Sequence, residues 1–251
     1  MKRWKKALLG IIAALFAVIA IGLPAAVGIR PFVGPRSRPL TDRRFASTPE
    51  RLARGRYLVT SAETPCMICH SPIDTSGGTI KVTGGMELAG RNWAPEQVPF
   101  VTAPNLTPDR ETGIGDWTDD QLARAIREGI GYDGRVLFPI MPYEHYRNMS
   151  DEDLASVIVY LRSLKPIRNP LPKSAVPFPL NRLIMGVPQP VLEPVMPDLS
   201  TPEKRGQYIT ILAVCTDCHT PMDDKGNKVP GMEFAGGTVH PYAGVPDVAS
   251  A

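Results

Sequence analysis

Two stretches of this chain carry the same landmarks in the same order, and that repetition constrains its fold more than any other feature. Ser47-Thr48-Pro49-Glu50 recurs as Ser200-Thr201-Pro202-Glu203, and Arg54-Gly55-x-Tyr57 as Arg205-Gly206-x-Tyr208. Cys66-x-x-Cys69-His70 recurs as Cys215-x-x-Cys218-His219, and Gly85-Met86-Glu87-Leu88-Ala89-Gly90 as Gly231-Met232-Glu233-Phe234-Ala235-Gly236. The offset drifts from 153 through 151 and 149 to 146, as expected when elements keep their order while loops vary. Four matched landmarks predict a duplicated domain.

Ahead of the first copy, Lys2, Arg3, Lys5 and Lys6 are followed by 23 positions without a charge, Ala7 to Ile29. As a helix that run would measure about 35 Å, enough to cross a hydrocarbon core of about 30 Å. A basic flank before an apolar run predicts a signal anchor over residues 1–30. A cleavable leader has the same layout, with Ala26-Val27-Gly28 as a small-x-small site. In both readings the basic flank stays cytoplasmic and everything after Arg30 is exported. The expected location is the inner membrane, single-pass with its folded part in the periplasm, or the soluble periplasm after cleavage. Those four residues also account for the formal charge of +3, since the remainder holds 24 basic against 25 acidic side chains. A nucleic-acid partner would need a basic face on the folded part, and none is expected.

Four cysteines in an exported chain ordinarily suggest two disulfides. Here each pair is followed directly by histidine, the attachment signature of c-type haem. Two thiols at this spacing can reach the two vinyl groups on one porphyrin edge, and the next histidine can bind the iron as proximal ligand. Cys66 and Cys69 with His70, and Cys215 and Cys218 with His219, are thus two expected haem c sites. A zinc ribbon needs its pairs about 15–20 residues apart, whereas Cys69 and Cys215 are 146 apart. A dithiol redox site wants an α/β context, which the chain lacks.

Local signals predict helices. Thr48 and Thr201 read as N-caps followed by proline at the first helical position. Thr118-Asp119-Asp120-Gln121 has the form of a capping box, with Leu122, Ala125, Ile126 and Gly129 on one face and Gly129 and Gly131 punctuating the end. Ser150-Asp151-Glu152-Asp153 opens another helix, its acids placed where the dipole favours them. Leu154, Val157, Ile158 and Leu161 form its buried face, and Pro166 stops it. The stretch 77–116 reads as mostly loop. Between Pro166 and Pro197 nine prolines fall in 32 residues without periodicity, an extended linker. Arg30 to Leu40 reads as a tether leaving the membrane.

A six-coordinate haem needs a second axial ligand. Met67 lies inside the attachment loop and cannot reach the opposite face; Met86 sits in the Gly-Met-Glu turn and reads as packing. Met149 stands just before the Ser150 cap as a hydrophobic staple. Met141, flanked by Pro139-Ile140 and Pro142, is the expected distal ligand, with His145 as the alternative.

At these residues the chain resembles the diheme c-type cytochromes, including the cytochrome c subunits of membrane-bound bacterial alcohol and gluconate dehydrogenases. The likeness is carried by residues 103–109 (APNLTPD), 111–117 (ETGIGDW), Met141-Pro142-Tyr143, 149–154 (MSDEDL) and 160–164 (YLRSL). It implies the cytochrome c fold; with the repeat and the apolar run, the expected architecture is all-α, tandem cytochrome c domains, the second incomplete, after an N-terminal transmembrane helix. The expected divisions are 1–30 signal anchor, 31–45 tether, 46–165 cytochrome c domain 1, 166–197 proline-rich linker and 198–251 truncated cytochrome c domain 2. The resemblance makes Gly55 and Tyr160 the close-approach pair where first and last helices cross, and it places the distal methionine at Met141.

One departure stands out. In copy one 51 residues separate Gly90 from Met141, with a helix beyond, whereas 15 residues follow Gly236. Copy two therefore lacks the distal-ligand segment and closing helix, as in a shortened chain; Met222, Met232 and His240 are its substitutes. So small a unit buries little apolar surface of its own. The expected function is electron transfer, with no catalytic residue, between a membrane-bound or periplasmic dehydrogenase or quinol-linked donor and a respiratory acceptor. The alternative is a diheme peroxidase, which keeps one haem open for peroxide.

Overall fold

A computed structural model describes residues 3–61, 64–76, 79–93, 98–224, 226–240 and 248–250, with the backbone alone at 3, 7, 239, 240 and 248. The described chain is predominantly helical. α1 spans Arg3–Val27, and its stretch Trp4–Val27 is long and apolar enough to cross a membrane, as an anchor or a leader would be. α2 (Arg30–Val33) follows within three residues. Then come α3 (Pro49–Thr60), α4 (Cys66–Cys69), α5 (Asp119–Glu128), α6 (Tyr143–Tyr146) and α7 (Asp151–Ser163). α8 (Leu180–Leu183) with a 3-10 turn (Ile184–Gly186), α9 (Pro202–Leu212) and α10 (Cys215–His219) complete the helices. Strands are two-residue antiparallel ladders: Ile73–Asp74 with Lys81–Val82, Arg91–Asn92 with Thr102–Ala103, and Val239–His240 with Val248–Ala249. Within 77–116 the described backbone is otherwise loop.

The predicted caps are formed. The Thr48 hydroxyl accepts from Arg51 N and that of Thr201 from Lys204 N, each ahead of a proline. Thr118 and Gln121 complete a reciprocal capping box, and Gly129 closes α5 at φ 72°, a conformation that suits glycine. Ser150 caps α7 by accepting from Asp153 N. Met149 and Leu154, the staple pair, are both buried in the core.

The core forms where α3 crosses α7. Leu58 and Val59 from one and Leu154, Val157, Ile158 and Leu161 from the other are buried together. Gly55 sets the approach: a Cβ there would lie 2.0 Å from Ser156 O and 2.7 Å from Tyr160 Cβ. No side chain fits.

The proline-rich segment is anchored as well as extended. Asn105 Nδ2 donates to Ile167 O at 2.7 Å, Ile167 N to Thr107 Oγ1 at 3.0 Å, and Thr102 N to Ser174 Oγ at 2.9 Å. It also contains α8 and the 3-10 turn, which carry no periodicity long enough to read from sequence. The segment before α3 is clamped too. Arg38 donates to both Asp120 carboxylate oxygens, at 2.7 and 2.8 Å, and to Glu128 Oε1 at 2.7 Å, with both carboxylates buried on α5.

The second landmark set leans on the first. Tyr208 and Leu212 of α9 belong to the same buried cluster as Leu58 and Ile158. The Tyr208 hydroxyl accepts from Ser150 N at 2.9 Å and donates to Asp153 at 2.7 Å, while Arg54 grips that same carboxylate at 2.7 and 2.8 Å. Its counterpart Tyr57 is exposed. Tyr208→Phe removes the shared hydroxyl from a buried site, and we expect a loss of about 1–3 kcal/mol in chemical denaturation. An unchanged midpoint would mean that α9 is held by apolar contact alone.

Candidate functional site

The first Cys-x-x-Cys-His begins where α3 ends. The buried Thr64 hydroxyl bonds to Leu58 O at 2.8 Å and approaches Cys66 Sγ at 3.1 Å, tying the start of α4 to α3. Cys66–Cys69 is one helical turn, with His70 as its C-cap. The buried His70 ring lies with Nδ1 2.8 Å from Pro104 O. With Nδ1 donating to that carbonyl, Nε2 keeps its lone pair for a ligand. Burial lowers the His70 pKa against a smaller opposing effect of the Pro104 carbonyl, so the ring is neutral at pH 7. Gly90 N donates to His70 O at 2.6 Å, and a Cβ at Gly90 would strike Asn105 N at 2.6 Å.

Cys66, Cys69, His70 and Met141 all line one cavity, whose space with its open mouth is about 1410 Å³. The lining is mainly apolar: Val101, Leu106, Ile114, Leu122, Ile126 and Val157 among others. Met141 comes from a turn in which its N–H bonds to Phe138 O at 3.0 Å and its carbonyl accepts from Tyr143 N at 2.8 Å. Met149 touches the same cavity from the core, whereas Met67 and Met86 do not line it. Nor does His145, whose Nε2 lies 3.2 Å from Asp217 Oδ1.

Three observations bear on the group such a cavity holds. Burial pushes the Cys69 thiol up to about 12, and burial also raises Cys66; a reactive dithiol needs the opposite shift. Among the described residues no three His, Cys, Asp or Glu gather to hold a bare metal ion, and all four cysteines are free of disulfides. The Trp93 indole Nε1 on the cavity wall is buried and has no acceptor among the described residues. Haem c would suit all three: the unionised thiols would become thioethers, the imidazole would supply the metal ligand, and a propionate would offer the indole an acceptor.

Several lining residues were not legible in advance. Trp93, Tyr132, Arg135, Ser174 and Val176 reach the cavity through loops and the docked linker. Their signal is faint: an aromatic beside Arg91, whose guanidinium lies 4.8 Å over the Trp93 ring, and turn residues around Gly131 and Gly134.

Around the second Cys-x-x-Cys-His the local backbone repeats. Gly236 N donates to His219 O at 2.8 Å as Gly90 does to His70. Phe234 (φ 63°) matches Leu88 (φ 60°). Gly231 N meets Glu233 Oε1 at 3.2 Å, as Gly85 N meets Glu87 Oε1 at 3.1 Å. Cys215 is partly buried and Cys218 exposed. Met222 and Met232 are 46% and 44% exposed, and the His240 side chain lies outside the described residues. Asp217, inside the second motif, pairs with both His145 and Lys228.

No family model matches the chain. It is 33% identical over 253 residues to one component of the nicotinate dehydrogenase of Pseudomonas putida, covering 95% of this chain and 19% of that protein. It is 32% identical over 195 residues to the fructose dehydrogenase cytochrome subunit of Gluconobacter japonicus, covering 74% of this chain and 38% of that one. To a diheme cytochrome c-type protein of Cereibacter sphaeroides it is 31% identical over 202 residues, 77% of this chain and 65% of the other. The chain thus spans from a fifth to two fifths of the two dehydrogenase components and just under two thirds of the diheme protein. Taken with the paired Cys-x-x-Cys-His motifs, these likenesses make the chain a homologue of dehydrogenase cytochrome c subunits and of a diheme c-type cytochrome, with covalently bound haem c.

Proposed function

We propose that this chain is a diheme electron-transfer cytochrome built from tandem cytochrome c domains, at 46–165 and from 198 on, joined by the linker 166–197. The observation that carries the reading is that Cys66, Cys69, His70 and Met141 line one and the same apolar cavity. On this reading Cys66 and Cys69 would hold one haem by thioethers, with His70 and Met141 as the residues that would ligate its iron. Cys215 and Cys218 would hold the other, with His219 as the residue that would ligate its iron. Bound haem supplies the one-electron chemistry. The chain's residues fix the imidazole through Pro104 O, exclude water with the apolar wall, and hold Met141 in its turn. Thioether ligation raises the potential relative to a bis-His site, which suits a fairly oxidising carrier.

The relatives named above include components of dehydrogenases, so the donor we infer is a membrane-bound or periplasmic dehydrogenase. The acceptor is a further redox component of the respiratory chain. α1 then serves as the anchor of a single-pass inner-membrane protein with its folded part in the periplasm. A diheme peroxidase is not favoured; purified protein should show no steady-state reduction of peroxide, and turnover would replace the carrier reading.

The ligand assignment has its own test. Met141→Ala should abolish the weak near-infrared sulfur-to-iron band of one haem and lower that haem's potential, with both haems still covalently attached. A band that survives intact removes Met141 from the iron.

A further inference from the structure

We infer that α2, α8 and the 3-10 turn after it form a second membrane-contact face, seated at the lipid headgroup level beside the end of α1. The inference rests on reading α1 as a membrane helix. α1 ends at Val27 and α2 begins at Arg30, so at most about 10 Å of extended chain separates them. A helix spanning the bilayer over Trp4–Val27 delivers its C-terminal end to the periplasmic surface. α2 therefore lies at that surface.

α2 packs on α8 and on the 3-10 turn, which lifts residues 180–186, some 150 positions later in the chain, to the same level. Pro31 and Ile184 are the buried residues of these short elements. Most of what remains outside is apolar. Ile29, Phe32, Val33 and Leu183 are all exposed, and Phe178, just before α8, is 81% exposed. In water the exposure of so many large apolar side chains on neighbouring elements is unfavourable. At the boundary of headgroups and acyl chains, about 5–10 Å deep, it is where apolar side chains of interfacial helices reside. Arg182, exposed beside Leu183, can extend its cationic head to phosphate while its stem stays in the apolar layer. Continuity with α1 favours lipid over a protein partner as the occupant.

The test uses the full-length haem-loaded chain in phosphatidylethanolamine–phosphatidylglycerol vesicles. Nitroxide labels are placed singly through Phe178→Cys and Leu183→Cys, with Phe16→Cys in α1 and Glu233→Cys on the exposed turn as references. Collision with oxygen and with a water-soluble nickel chelate is measured for each. The oxygen-to-chelate ratio at 178 and 183 should exceed that at 233 severalfold. A lipid-exposed label at 16 with aqueous labels at 178 and 183 overturns the inference and leaves the anchor standing. Labels at 178 and 183 shielded from both reagents mean that protein covers this face, which also overturns it. If the label at 16 is aqueous or lost with a cleaved leader, lipid exposure at 178 and 183 still establishes the second face. If those two are aqueous as well, both readings fall.

Discussion

Arg38→Ala is expected to destabilise the folded part by about 3–5 kcal/mol, the range for removing one partner of a buried ion pair. Arg38 is 9% exposed in its side chain and serves two carboxylates exposed by 0% and 2%, Asp120 and Glu128. Asp120 retains Thr41 N at 2.7 Å and Arg43 at 3.6 Å. Glu128 loses the partner of Oε1, and its Oε2 is already buried with none among the described residues. The pH dependence identifies the cause. Burial alone would raise Asp120, but hydrogen bonds from Arg38 and Thr41 hold it below the usual range. Its contribution is therefore present above the unfolded carboxylate pKa and lost as pH falls through the folded one. Glu128 is raised, burial outweighing Arg38, so its ionised form is the unfavourable one. Without Arg38 that penalty grows, and the variant should recover part of its deficit as acidification protonates Glu128. Denaturation midpoints of both proteins from neutral to mildly acidic pH measure this. A deficit that is small, or that widens on acidification, would mean that Arg38 is not the counter-ion of this pair.

Gly55→Val should cost at least about 3 kcal/mol, at the upper end of overpacking effects. The obstruction is backbone: Ser156 O would sit 2.0 Å from the new Cβ, and no rotamer change moves it. The α3–α7 crossing has to open, exposing Leu58, Val59 and Ile158 together. For a folded part of this size each kcal/mol corresponds to about 2–4 °C in melting temperature. The repeat supplies the control. Gly206 holds the equivalent place in α9, and beyond its own helix no described residue lies within 4 Å of a Cβ there. Gly206→Ala should therefore be neutral, or stabilising by up to about 1 kcal/mol through helix propensity. Equal losses at both positions would contradict the described environment of α9.

The helix caps show why much of this fold was legible in the residues. Thr48 with Arg51 N, Thr118 with Gln121 and Ser150 with Asp153 N each close a hydrogen bond over three positions. Such bonds depend on local geometry, and so does the 3.6-residue period that buries Leu154, Val157, Ile158 and Leu161. The two-residue ladders carry no comparable signal, because Arg91 is defined as strand only by its pairing with Ala103. The linker is similar. Its composition predicts an extended chain, and nothing local announces that Ile167 meets Asn105, 62 positions away, or that Ser174 lines the cavity.

The motifs Cys66-x-x-Cys69-His70 and Cys215-x-x-Cys218-His219 carry their expectation, haem c attachment, in sequence alone, since the spacing of two thiols and an imidazole within five residues is local. So does the apolar run before Arg30, whose length alone suits it to a bilayer or a leader. Between Met141 and His145, four residues apart, local pattern could rank but not separate. The tertiary arrangement turns His145 to Asp217 and brings Met141 to the wall of the cavity. It likewise buries Tyr208 while leaving Tyr57 exposed, because burial depends on which surfaces meet, and those surfaces come from segments far apart in the chain.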